Sequence, residues 1–160
     1  MQGEVIVAAV DFSGVTQAVY EAAAALATGG ARVVVLNVQE PEVDYVGMAP
    51  PQAYASAEES VARAAEAALR VAREFFEQRS IGVETVHRTG AVVGTILAEA
   101  GSRKAKWVVL GSHGHGALYN LLVGSIAEGV IRGAEVPVVL VPDRGASRGG
   151  WNGGKRGGGS

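Results

Sequence analysis

The sequence predicts an α/β fold: a mainly parallel, doubly wound sheet with helices on both faces. Three observations predict it. Short apolar runs alternate with longer stretches of helical periodicity, giving five strands and four helices. Runs such as Val5–Val10 and Val33–Leu36 are apolar without interruption, as strands covered on both faces must be. The strand–helix alternation itself requires βαβ units with right-handed crossovers.

Residues 4–10 form the first strand, central because it is continuously apolar. Ser13 is placed to cap a first helix carrying Val15, Val19, Ala22 and Leu26 on one face, with Gly29 and Gly30 as its left-handed stop. A β-branched second strand runs from Arg32 to Val38. Residues 39–55, with Pro41, Gly47, Pro50 and Pro51, read as the longest loop. The longest helix is expected over 56–79, with Val61, Ala65, Ala68, Ala72 and Phe75 inward and Glu59, Arg63, Glu66, Arg70 and Arg73 on its other faces. The third strand, 83–88, mixes polar and apolar residues and so belongs at a sheet edge, with surface exposure for His87. A short helix follows over 92–100, then a fourth strand, 106–111, a glycine-rich loop, and a fourth helix from Ser125. The fifth strand, 136–141, contains Pro137, which cannot donate to a ladder, and is therefore a second edge. A nearly all-apolar edge invites pairing with another chain, so a symmetric homodimer through 136–141 is expected.

Composition narrows the function classes. The 160 residues include no cysteine, which removes disulfides, thiolate metal sites and thiol nucleophiles and fits a reducing compartment. Residues 1–144 carry 11 basic against 16 acidic side chains, so nucleic acid is not expected as a partner. No apolar run approaches the roughly 20 residues of a membrane span, and the N-terminus lacks a signal-peptide pattern; a cytoplasmic protein is expected. The chain divides into a domain over 1–144 and a tail over 145–160 with eight glycines. Two readings of that tail stand: a solvated extension, or an RNA-contacting segment using Arg148, Trp151 and Arg156.

The stretch from Gly111 to Ser125 carries the chemistry. Its glycines allow close backbone approach and positive φ, and Gly124-Ser125 opens a helix whose free N–H groups favour an anion. In such a sheet the ligand crevice lies where the winding reverses, which brings this loop opposite the one leaving the first strand, with Asp11. Neither GxxxxGK[ST] nor GxGxxG is present, so a P-loop enzyme and a dinucleotide-binding dehydrogenase are not supported. Alternative roles stay open: Asp11 as a helix cap, the glycines as turn formers only, and His113 with His115 as part of a metal site, although no further ligands accompany them.

The pattern present is Gx2Gx9G[ST], filled by Gly111, Gly114, Gly124 and Ser125. With Val10-Asp11-Phe12-Ser13, Leu36-Asn37-Val38, Gly90, Gly111-Ser-His-Gly114 and the closing Val136-Pro-Val-Val-Leu-Val-Pro142, residues 3–143 resemble the universal stress protein family, in its ATP-binding branch. The resemblance implies a five-stranded sheet of order 3-2-1-4-5 and an ATP site between the first and fourth strands. It implies that Asp11 contacts the ribose, that Ala9 and Val38 border adenine, and that Gly111 lies beside the sugar. It assigns the phosphates to Gly114, the backbone of His115, Gly116 and Ala117, and Gly124, Ser125, Ile126 and Ala127; Ser112 and His113 fall in the same motif, with His113 positioning the loop. Ala9 stands where proline is common in the family. The loop between Gly111 and Ser125 has no Lys, Arg, Asp or Glu, so a dimeric nucleotide-binding regulatory module with little or no hydrolysis is expected. The alternative is a slow ATPase or adenylyl-transfer enzyme using the same crevice, with Asp11 near Mg²⁺. A third reading is a structural dimer with another anion, or none, in the crevice.

Overall fold

A computed structural model describes residues 3–41, 51–113 and 123–143. In chain order the elements are β1 (Val5–Val10), α1 (Thr16–Leu26), β2 (Arg32–Gln39), α2 (Pro51–Glu77), β3 (Gly82–Thr89), α3 (Val92–Ser102), β4 (Trp107–Gly111), α4 (Ser125–Gly133) and β5 (Val138–Val141). The five strands are all parallel and lie in the order β3-β2-β1-β4-β5, as expected.

Side-chain alternation along the strands divides the interior in two. Ile6, Ala8 and Val10 of β1 join Val33, Val35 and Val109 under α1 and α2, where Val19, Tyr20, Ala23, Leu69, Ala72 and Phe76 close the layer. Val5, Val7 and Ala9 point the other way with Val34, Leu36, Val108 and Leu110, against Ile96, Ala100, Ala127 and Val130 of α3 and α4. Tyr20, Phe75 and Phe76 form a triangle of rings with centroids 5.0–5.7 Å apart. That packing accounts for the paired phenylalanines of the longest helix.

Several local expectations are corrected. Ser13 does not cap α1: the helix begins at Thr16, and the Ser13 hydroxyl is buried without a hydrogen-bond partner. Its N–H instead donates to Asp11 Oδ1 at 3.0 Å, and its carbonyl accepts from Thr16 N–H at 3.1 Å, so a side-chain turn replaces the cap. Gly29 and Gly30 do adopt positive φ, 63° and 82°, but in the turn to β2 after α1 has ended at Leu26. The loop predicted over 39–55 ends earlier, because α2 starts at Pro51; proline is tolerated in the first helical position, where no N–H is needed. β5 is shorter than predicted. Pro137 supplies only its carbonyl, to Val108 N–H at 3.1 Å, and the strand begins after it.

The edge strand β3 is clamped to β2 and α3 by an ionic network. Arg103 makes two 2.8 Å contacts with Glu84 and one of 2.7 Å with Glu99, while Arg32 reaches Glu84 and Arg88 reaches Glu99. Two carboxylates and three guanidiniums thus tie β2, β3 and the end of α3 together.

Candidate functional site

The crossovers through α1 and α2 lie on one face of the sheet and α3 and α4 on the other, so the winding reverses between β1 and β4. At the carboxyl ends of these strands a crevice of about 900 Å³ opens. Because it straddles the sheet, both parities of strand residue reach it. Ala9, Leu36, Val38, Val92, Ile96 and Leu110 line it on the α3/α4 side, and Val15, Val19, Val61 and Ala65 on the other.

Of the residues singled out in the sequence, Ala9, Asp11, Val38, Gly111, Ser112, His113, Gly124, Ser125, Ile126 and Ala127 all line this one crevice. Gly114, His115, Gly116 and Ala117 lie outside the described residues, as does the tail over 145–160. Among the described residues no cluster of three or more His, Cys, Asp or Glu could hold a metal ion.

Backbone geometry explains why glycine is needed at two of these positions. A Cβ on Gly111 would stand 2.6 Å from Val15 Cγ1 and 3.2 Å from the His113 carbonyl oxygen, so the strand end and the start of α1 meet through the missing side chain. At Gly124 an added Cβ would come within 3.2 Å of the Ser112 carbonyl oxygen, which accepts the Gly124 N–H at 2.7 Å. Ser112 also donates its own N–H to the Val141 carbonyl at 2.9 Å, bracing β4, β5 and the start of α4 against one another. Its hydroxyl lies 3.1 Å from His113 Nδ1.

α4 has Gly124 as its N-cap, with no side-chain cap, and its first intrahelical bond runs from Glu128 N–H to the Gly124 carbonyl at 2.9 Å. The amides of Ser125, Ile126 and Ala127 therefore have no acceptor within the helix, and they stand at its positive end on the crevice wall. Such a wall suits an anionic group. The apolar lining residues Ala9, Leu36, Val38 and Val92 suit a flat ring, and Asp11, which lines the same crevice, brings a carboxylate able to accept from hydroxyls.

Two features were not foreseen. Phe12, next to Asp11, has φ of 59°, a left-handed conformation uncommon for an aromatic residue, at the corner where β1 turns into α1. Asn37, only 6% exposed, donates from Nδ2 to the Val10 carbonyl and holds Oδ1 2.9 Å from His87 Nδ1. His87 is accordingly half-buried and partnered rather than simply exposed. The signal available in the sequence was the single amide inside the apolar run Val33–Val38, since a buried polar side chain requires a partner.

The Universal stress protein family model matches residues 4–142 of the chain. A universal stress protein of Thermus aquaticus is 33% identical over 113 residues, which cover 70% of this chain and 78% of that protein. One from Methanocaldococcus jannaschii is 28% identical over 97 residues, 61% of this chain and 57% of the relative's own length. Among solved structures, universal stress protein UspA of Lactobacillus plantarum superposes with a TM-score of 0.78 at 23% identity, covering 88% of this chain and 99% of that one. Two more distant structures hold nucleotides: a universal stress protein in complex with cAMP (TM-score 0.64, 21% identity, 89% and 98% coverage) and an Arabidopsis thaliana family member with AMP bound (0.57, 16%, 87% and 91%). At these identities the structural likeness speaks to the fold.

Proposed function

The chain belongs to the universal stress protein family, and from that premise we propose that it binds an adenine nucleotide, ATP foremost, in the crevice between β1 and β4 and acts as a regulatory module. The observation that carries this reading is the crevice itself, whose wall combines apolar side chains for a base, a carboxylate for sugar hydroxyls and the amide end of α4 for phosphate. The cAMP and AMP held by distant relatives support the adenine part. In this reading Ala9 and Val38 border the base, Asp11 accepts from the ribose hydroxyls, Gly111 lies beside the sugar, and Ser125 with the amides of Ile126 and Ala127 receives phosphate. Gly114, His115, Gly116 and Ala117 complete the phosphate loop, with Ser112 and His113 at its base. Mg²⁺ would arrive with the nucleotide's phosphates, and Asp11, a carboxylate on the crevice wall, would be the side chain to hold it.

Binding ranks ahead of hydrolysis because the charged side chains among the described lining residues are acidic, Asp11 and Glu40, so they supply no cationic clamp for a phosphoryl transition state. The apolar β5 edge supports a homodimer, and the reading includes a cytoplasmic location. Calorimetric titration with ATP, ADP, AMP and cAMP, with and without Mg²⁺, tests the proposal. Micromolar or tighter binding is expected, weakened at least tenfold by Gly124→Ala, whose Cβ would crowd the Ser112 carbonyl that seats the start of α4. Millimolar or absent binding of all four overturns it. Phosphate release faster than about 1 s⁻¹, the low end of ordinary kinase rates, overturns the non-enzymatic part.

A further inference from the structure

We propose that His87, on the edge strand β3 and outside the crevice lining, is a positioning residue for the nucleotide site, acting through the buried Asn37 on the corner that presents Asp11. The inference rests on the nucleotide-binding reading above.

Hydrogen-bond polarity fixes how the Asn37 amide is turned. The Val10 carbonyl can only accept, so the Asn37 group 2.9 Å from it is the amide nitrogen. That turns Oδ1 of the same amide toward β3, where His87 Nδ1 lies 2.9 Å away and must carry the proton. Each contact fixes the other. With the His87 donor in place, both ends of the amide are satisfied; without it, a buried oxygen loses its partner and only the Val10 bond still holds the amide. Val10 and Asn37 are also register partners in the β1–β2 ladder, so the link extends across three strands at the rim of the crevice.

What the link holds is a corner that does not hold itself. Phe12 occupies the left-handed region at φ 59°, a conformation that persists for a bulky residue only when its surroundings impose it. On one side Asp11 Oδ1 accepts the Ser13 N–H. On the other, Asn37 fixes the carbonyl of Val10, the peptide group leading into Asp11. The carboxylate assigned to the ribose thus sits between two restraints, one of which is set from β3.

The test has a ligand-free arm and a ligand arm. Long-range ¹H–¹⁵N spectra of the wild-type protein should show a proton on His87 Nδ1; a bare Nδ1 with the proton on Nε2 overturns the proposal. His87→Leu should shift the backbone amides of Asp11, Phe12 and Ser13, and weaken AMP and ATP binding about tenfold, the scale of leaving one buried polar group unpaired. His87→Asn, whose Nδ2 takes the place of Nδ1 and can donate to the same oxygen, should recover most of that affinity, a rescue that general loss of packing does not predict. Binding by His87→Leu within twofold of wild type, with unshifted corner amides, refutes the role. If the wild-type protein binds no nucleotide, the functional reading falls, and the tautomer and corner amide shifts still decide whether His87 sets the corner.

Discussion

Placing a methyl group on Gly111 is the sharpest probe of how the crevice is built. The new Cβ would stand 2.6 Å from Val15 Cγ1, well inside van der Waals contact, and 3.2 Å from the His113 carbonyl. Val15 is 5% exposed, and its β-branched side chain has few rotamers to retreat into, so the start of α1 must shift. Overpacking of this kind costs about 1–3 kcal/mol. Removing the glycine's freedom in the unfolded chain returns about 0.4–1 kcal/mol. The expected net loss for Gly111→Ala is therefore about 1–2 kcal/mol, or a fall of roughly 2–8 °C in Tm for a chain of this size. Val15→Ala alone should cost about 2 kcal/mol from lost methyls and the space they leave. In the double variant the new methyl occupies part of that space, so Gly111→Ala should become neutral or slightly stabilising, a coupling of at least 1 kcal/mol. Urea unfolding followed by circular dichroism measures all four proteins. Additivity within about 0.5 kcal/mol would refute the claim that strand end and helix start touch through this glycine.

Two further predictions concern pH. The Arg103 and Arg32 guanidiniums hold the Glu84 carboxyl down at about 2, and Arg103 and Arg88 lower that of Glu99. Their folded-state affinity for protons lies below that of the unfolded chain, so their contribution to stability is complete above about pH 4.5, the ordinary glutamate value, and is lost as the pH falls toward 2. The Tm should drop across that window and Glu84→Gln should drop less steeply; solvent screening keeps the effect modest because Glu84 is 43% exposed. Burial pushes the Tyr20 hydroxyl up to about 12 from 10, so its contribution is complete below pH 10 and is lost as the pH rises toward 12. Tyr20→Phe should flatten the alkaline limb of a Tm profile, and an unchanged limb would count against the buried placement of that ring.

Much of the fold was written in patterns that repeat along the chain. The apolar runs Val5–Val10 and Val33–Leu36 carry hydrophobic groups at both parities, and that alone requires helices on both sides of a parallel sheet. Gly111, Gly124 and Ser125 advertised the crevice because an amide wall needs small residues, whatever surrounds it. Asp11 was legible by position, one residue past a central strand. Asn37 and His87 were not, because they lie 50 residues apart and only the β2–β3 register makes them neighbours. Local sequence likewise offered Ser13 as a cap, a role lost when Asp11 took the Ser13 amide and Phe12 turned left-handed.

The sequence by itself determined what is periodic or local: strands, helices, the sheet's two-sided burial and the glycines at the crevice. Tertiary structure alone decided which distant polar groups meet and which hydroxyls go unused, because a hydrogen bond depends on direction and on distances within a few tenths of an ångström. Burial asks only that a side chain be apolar and face inward; a buried amide must also find the atom that answers it.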